Sequence, residues 1–261
     1  AVKKVEIAVV GAGPAGLAAA VAAAQAGAEV LVIDENPQLG GQIYRQPPQQ
    51  FQLISYKALS TDQREGKRLL EHARSLPIEF LTNTVVWGIF DGKYLCLLKG
   101  KENIEIWAEK LILATGVYER PIPFPGWTLP GVMTAGGVQI MLKGQWTVPG
   151  QRFLLAGTGP LQLALASQIL TSGAKVAGIA DVSSRRQYMR YLPRLWGEWH
   201  TLRLGMGYAW NVWKNRVPFI ESHAIIRAEG KDRVERAITA DVDENWHPIA
   251  GTERVWEVDG I

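Results

Sequence analysis

The residues best placed to do chemistry are three glycines in Ile7-Ala-Val-Val-Gly-Ala-Gly-Pro-Ala-Gly16 and an acid further along the chain. Gly11 permits a tight turn, Gly13 lets backbone approach a pyrophosphate, and Gly16 lets a helix lie close on the preceding strand. That helix opens at Pro14 and Ala15, and its unpaired N-terminal amides carry a partial positive charge suited to an anion. Asp34, followed by Glu35, lies 23 positions after Gly11, near the ~20 at which a carboxylate takes ribose hydroxyls. A dinucleotide is the ligand this spacing implies. No acid, base or nucleophile stands out in the same way. His72, His200, His223 and His247 are scattered with no partner at a recognisable spacing, so the catalytic residues stay unassigned.

A glycine turn of this kind needs a strand before it and a helix after it. Residues 7–10 form an apolar run that reads as a buried parallel strand, residues 17–26 form a helix rich in small side chains, and Gly27 stops it. A second apolar strand, Val30–Ile33, delivers Asp34. Beyond it the reading is a Pro/Gln loop at 46–52, then a helix at 61–75 with Leu69, Leu70 and Ala73 on one side. Strands at 84–90 and 94–98 flank Asp91-Gly92, a two-residue hairpin signal. A third strand at 104–108 completes a small antiparallel layer, and a separate buried strand at 110–116 ends in Ala114-Thr115-Gly116. The proline-punctuated run at 118–132 reads as a chain crossing between domains.

The opening design then returns. Gly157-Thr158-Gly159-Pro160-Leu161 follows an apolar run at 153–156, and Gly173-Ala-Lys-Val176 follows its helix, each 146 positions after Gly11 and Gly27. Repetition of the whole unit predicts a second dinucleotide domain. The copy departs in two places. Gln162 replaces the third glycine, and Asp181 arrives one residue late, which would turn a strand side chain to the other face. Arg185 and Arg186 could meet a ribose 2′-phosphate or be solvated loop residues. NAD(H), NADP(H), another adenine nucleotide or no ligand all remain open at this copy.

Composition narrows the class. A chain of 261 residues has room for about two domains, and 47% hydrophobic against 20% charged residues excludes disorder. A net charge of +3 makes no case for nucleic acid. Cys96 is the single cysteine, which excludes a disulfide framework, a redox CxxC pair and a cysteine metal cluster; its apolar neighbours mark a buried thiol. No metal site is predicted. No charged leader with a cleavage site precedes the first strand, and the Ala-rich run at 15–28 is broken by Gln25 and Gly27 and reads as a core helix, not a transmembrane segment. The expectation is a cytoplasmic chain, with peripheral attachment to the inner face of the membrane left open.

Residues 185–219 are different in character. Arg185, Arg186, Arg190, Arg194, Arg203, Lys214 and Arg216 face one acid, Glu198, with Trp196, Trp199, Trp210 and Trp213 interleaved. Tyr188, Leu192, Leu195 and Trp199 fall at helical spacing, as do Leu202, Met206 and Trp213, so two amphipathic helices are predicted, with Pro193 and Gly205/Gly207 as irregularities. Packing of these stripes into the core is the simplest reading, and a docking surface for a partner subunit is the alternative. Strands are expected around Gly230-Lys231-Asp232 and 245–251, with another beginning at Arg254.

A carboxylate ending the second strand, followed by Gly40-Gly41-Gln42, and later by Ala114-Thr115-Gly116, resembles the two-dinucleotide flavoproteins typified by thioredoxin reductase and other pyridine nucleotide-disulfide oxidoreductases. Gly-Gly-Gln-Ile-Tyr-Arg (40–45), the run at 118–132 and Thr134-Ala-Gly-Gly137 are similar to the FAD-binding A-type subunit of opine oxidases, and to subunits of hydrogen cyanide synthase and of dye-linked proline and hydroxyproline dehydrogenases. The resemblance implies an α/β fold with two Rossmann-like domains of three-layer ββα type, the second inserted in the first. Residues 1–120 would be the FAD domain, 121–253 the inserted NAD(P)-binding-like domain, and 254–261 the start of a return to the first. It implies FAD held by Gly11, Gly13, Pro14, Ala15, Gly16, Asp34, Glu35, Gly41, Gln42, Ala114, Thr115 and Gly116, with a backbone contact from Val86 to the adenine. A second nucleotide would lie against Gly157, Gly159, Pro160, Leu161 and Asp181. The activity implied is oxidation of an amino-acid or opine C–N bond by one subunit of a hetero-oligomer. Hydride would pass between flavin N5 and a nicotinamide or a partner flavoprotein's substrate; a non-catalytic scaffold subunit is the alternative. The family's return segment, with its flavin-binding aspartate, should start about where this sequence ends, so either the chain is a fragment or another chain supplies it. The cysteine-rich iron-sulfur module of some relatives is absent, and no cluster is predicted.

Overall fold

The computed structural model describes residues 2–46, 61–191 and 196–261. The predicted loop beyond Gln46 and the residues Leu192, Pro193, Arg194 and Leu195 lie outside the described residues, as do the side chains of Arg185 and His200. The chain divides into two compact units, Ala1–Tyr118 and Glu119–Ile261.

The first unit starts with β1 (Lys3–Val10), α1 (Pro14–Gln25) and β2 (Val30–Ile33). Pro14 pre-sets the first helical turn, and Leu17, Ala20, Val21 and Ala24 recur at helical spacing on the buried face. α2 (Thr61–Arg74) then leads to β3 (Ile78–Leu81), β4 (Thr84–Phe90), β5 (Tyr94–Lys99) and β6 (Glu102–Leu113). The sheet order is β3-β2-β1-β6-β5-β4. Alternation along the strands builds two cores. Ile7, Val9, Val30 and Val32 pack on Leu17, Val21 and Leu70 of the helices. Ala8, Val10, Leu31 and Ile33 point the other way, onto Leu95, Leu97 and Ile106 of the antiparallel layer. Meander, parallel sheet and helices are therefore the three layers.

Two local expectations change. The strands predicted at 104–108 and 110–116 are one strand, β6, whose first half pairs with β5 (Tyr94↔Trp107) and whose second half runs parallel to β1 (Val10↔Leu113). The polar Glu109-Lys110 step does not break it: both side chains are exposed, and Lys110 pairs with Glu6 at 3.7 Å. The β4–β5 connection takes three residues, with Gly92 and Lys93 both at positive φ and Phe90 opposite Tyr94.

The second unit repeats the plan. α3 (Ala135–Gln139) runs into a π-helical turn, Ile140–Gly144, and Glu119 accepts the Gly136 amide ahead of it. β7 (Arg152–Gly157), α4 (Leu161–Thr171) and β8 (Lys175–Asp181) follow, then α5 (Arg185–Tyr191), α6 (Trp199–Lys214) and β9 (Phe219–Glu221), giving a parallel sheet β7-β8-β9. β10 (His223–Glu229), β11 (Arg236–Asp241) and β12 (Arg254–Glu257) form an antiparallel meander. Phe153, Leu155 and Ile179 face α4 and α6, whereas Leu154 faces Ala237 and Val258. Gly205 and Gly207 sit inside α6 without interrupting it.

Residues 254–261 are held by partners within the second unit. β12 pairs with β11, Gly260 bridges Phe153 in parallel, and the Asp259 carboxylate accepts the amides of Gln151 and Arg152. The alternation that buries Val258 and half-buries Trp256 belongs to the second unit's own core.

Candidate functional site

In the first unit three separated segments meet at the end of β1. The Gly11 amide donates to Ile33 O, the Gly40 amide to Ala12 O and the Ala114 amide to Val10 O, each at 2.8 Å. Gln42 Nε2 donates to Val117 O at 3.0 Å, tying Gly40-Gly41-Gln42 to the chain after Ala114-Thr115-Gly116. At Gly11, Gly16, Gly40 and Gly41 the contacts leave no room for a side chain. A Cβ on Gly11, at φ +101°, would overlap the Ala114 carbonyl, and one on Gly41, at φ +59°, would stand 2.8 Å from Gly13 Cα. Gly13 is the N-cap of α1 and brings no side-chain cap, so the first amides of the helix face the turn uncapped.

Asp34 is buried and already engaged. Its Oδ2 accepts the Ala12 amide at 2.6 Å, and its Oδ1 accepts the Asn36 amide at 2.8 Å and Asn36 Nδ2 at 3.0 Å. Three of a carboxylate's roughly four acceptor positions are thus used within the protein, leaving about one for a ribose hydroxyl. Glu35, beside it, accepts the Tyr118 hydroxyl at 3.0 Å, and that hydrogen bond raises the phenol's pKa. Val86 sits in β4, two residues after Thr84, whose amide donates to Asp34 O; the strand carries a bulge between Val86 and Gly88. The structure therefore brings the glycine turn, Asp34, Gly40–Gln42 and Ala114 together at the end of β1, with the strand that carries Val86 joined to the acid's backbone through Thr84.

In the second unit the late arrival of Asp181 is corrected in the sheet. Phe153 pairs with Val176, but Leu154 pairs with Gly178, so a bulge at Ala177 absorbs one residue and Gly157 ends up opposite Asp181. The carboxylate is fully buried. Its Oδ1 accepts the Ser183 amide at 2.7 Å, and its Oδ2 accepts the Tyr188 hydroxyl at 2.5 Å. Burial first, and then the bond to Asp181, push the Tyr188 pKa up to about 12. Gly159 has φ +93°, and among the described residues no atom lies within 4 Å of a Cβ built there. Gln162 stands where the first copy has Gly16; its amide is buried with no hydrogen-bond partner among the described residues, and its Nε2 is 3.6 Å from a Cβ built on Gly157.

A cavity of about 400 Å³ opens beyond β8 and β9, lined by Val182, Ser184, Arg186, Asp243, Glu244 and Trp246 among others. Arg186 thus shares its cavity with two acids, which works against the simple 2′-phosphate reading. Tyr188 carries no signal of its own in the sequence beyond its place in an apolar stripe. Met206 and Trp213, from the stripe read as core, are instead exposed at 64% and 69%. Trp199 and Trp210 are exposed too, Trp210 stacks on Trp213 at 4.9 Å, and Val212 is what α6 buries in the core. Among the described residues no cluster of His, Cys, Asp and Glu could hold a metal, and no helix is long and apolar enough to cross a membrane.

Tandem ββα units with glycine turns at the ends of their first strands define a Rossmann-type, two-dinucleotide architecture. The model of the pyridine nucleotide-disulphide oxidoreductase family matches residues 5–243, and the chain belongs to that family. It is 38% identical over 201 residues to the A-type subunit of opine oxidase from Rhizobium meliloti, covering 72% of this chain and 38% of that protein. It is 30% identical to hydrogen cyanide synthase subunit HcnB of Pseudomonas protegens, covering 95% of this chain and 53% of that one. The crystal structure of L-proline dehydrogenase from P. horikoshii superposes on the whole chain and on 42% of its own, with a TM-score of 0.59 and 19% identity, which speaks to the fold. The chain thus spans about half the length, or less, of the curated relatives it matches.

Proposed function

We propose that this chain is the FAD-binding oxidoreductase subunit of a hetero-oligomeric enzyme that oxidises the C–N bond of an amino acid or opine. The observation that carries the reading is the convergence of Gly11–Gly16, Gly40-Gly41-Gln42 and Ala114–Gly116 into one glycine-rich cradle. The residues fit the cofactor. The amides of Ala15 and Gly16 would meet the diphosphate, Asp34 and Glu35 the adenine ribose, Val86 backbone the adenine, and Gln42 and Thr115 the flavin side. FAD, when bound, supplies the capacity to accept a hydride. The chain's own part is to hold the diphosphate, exclude side chains from its path and orient the ring. The names of the relatives, both subunits, support a partner chain. The exposed tryptophans of α6 are the surface offered to it, and insertion of the second unit into the first is part of the same proposal.

Flavin absorbance in the purified chain tests the first step. Anaerobic bleaching by NADH or NADPH, or by a secondary amino acid once the partner chain is added, tests the second. A colourless chain that FAD does not colour, but that a partner chain needs for activity, would replace this reading with that of a nucleotide-binding scaffold.

A further inference from the structure

The second glycine turn faces a side chain that the first lacks. Asp34 is held by backbone amides and Asn36, whereas Asp181 is held by the Ser183 amide and by a phenol reaching back from α5. The Tyr188 oxygen lies against Oδ2 of Asp181, and the Gly159 amide acts on the same phenol. Those two groups, the acid at the end of the second strand and the amide in the turn, are the pair that receives ribose and diphosphate in a dinucleotide site. The phenol hydroxyl thus presents to Asp181 what a ribose hydroxyl would present. Gln162, with its Nε2 3.6 Å from a Cβ built on Gly157, keeps both polar atoms of a buried amide unpaired among the described residues, a loss that a bound ligand or water would relieve. One side chain thus occupies an acceptor position of the acid, and a buried amide beside the turn has no partner among the described residues.

We infer that Tyr188 is the gate of the second site: its hydroxyl substitutes for a ribose hydroxyl on Asp181, and an adenine nucleotide binds by displacing it. The inference rests on reading the second unit as a nucleotide site. Exchange of one hydroxyl for another on the same carboxylate makes the gate cheap to open. Tyr188 is partly exposed, so its ring has solvent to swing into, while Asp181 stays buried. Affinity for the nucleotide is reduced by the fraction of molecules in which the gate is shut. With its pKa near 12, the phenol remains a donor throughout the ordinary pH range.

The test is calorimetric titration of the full chain with ADP and with NADH, in saturating FAD so that the first turn does not report. Tyr188→Phe keeps the ring and removes the hydroxyl; it should bind ADP roughly tenfold more tightly than the native chain, as expected when a competing hydrogen bond of about 1.4 kcal/mol is deleted. Adding Asp181→Asn to that variant should abolish the gain. Circular dichroism checks folding, and Tyr188→Ala, which removes the ring as well, should change affinity in the same direction. Equal ADP binding by native chain and Tyr188→Phe overturns the gate but leaves the nucleotide site. Weaker binding by Tyr188→Phe overturns it too, because the phenol would then be a ligand contact. Absence of ADP and NADH binding from every variant removes the nucleotide reading and the gate with it.

Discussion

The Ala12 amide donates to Oδ2 of Asp34 across 2.6 Å, so the acid predicted to wait for a ribose also braces the glycine turn. Asp34→Asn would set an amide NH2 against either the Ala12 or the Asn36 donor. We expect it to cost the first unit about 1–3 kcal/mol and to weaken FAD retention in parallel. Urea denaturation followed by flavin absorbance after gel filtration measures both; loss of flavin at unchanged stability would mean that Asp34 acts on ligand alone.

The two glycine turns should respond differently to a methyl group. Gly11→Ala meets both a left-handed φ and the Ala114 carbonyl, so we expect several times the penalty of Gly159→Ala. The latter meets only the φ penalty, about 1–2 kcal/mol. Thermal melts of the two variants compare them directly, and equal penalties would contradict the packing described around Gly11.

His223 gives the second unit an acid sensitivity. It is fully buried, its Nδ1 lies 2.7 Å from Asp241 Oδ1, and its Nε2 has no partner among the described residues. Burial, aided by Arg254, lowers its pKa below the ordinary 6.5 despite the pull of Asp241. The unfolded state therefore binds the proton more readily. Stability from this group is complete above pH 6.5 and declines as pH falls below it. Urea midpoints at pH 7.5 and 5.5 should show the decline, and His223→Gln should flatten it.

The tryptophans of α6 are the partner surface in the proposed complex. Trp210→Ser with Trp213→Ser removes a stacked, exposed pair while leaving Val212 in the core. The monomer should lose less than about 0.5 kcal/mol, as for surface positions generally, while affinity for the partner chain drops at least tenfold, as for aromatic anchors. Co-purification and unfolding measurements separate the effects. Unchanged partner binding would move the interface elsewhere.

Much of this was legible in the residues. Both glycine turns, the apolar strands before them and the 146-residue repeat are local patterns, and local patterns carry their own geometry. The places that resisted reading depend on pairing between strands or on long side chains. A chain offset put Ala180 where Asp34 stands, because nothing in Lys-Val-Ala-Gly-Ile-Ala-Asp marks which residue bulges; the partner strand decides, at Ala177. Tyr188 looked like one more apolar residue in a helical stripe, and only the buried Asp181 within reach makes its hydroxyl matter. Trp213 and Met206 have the composition of a core and the exposure of an interface, a distinction that periodicity cannot draw.

β6 has a mechanical meaning. One continuous backbone is stitched to β5 at one end and to β1 at the other, and it terminates at Leu113, just before Ala114. The two sheet layers of the first unit thus have no seam along which to slide. A load applied to the meander is therefore carried by one covalent backbone to the start of the Ala-Thr-Gly segment.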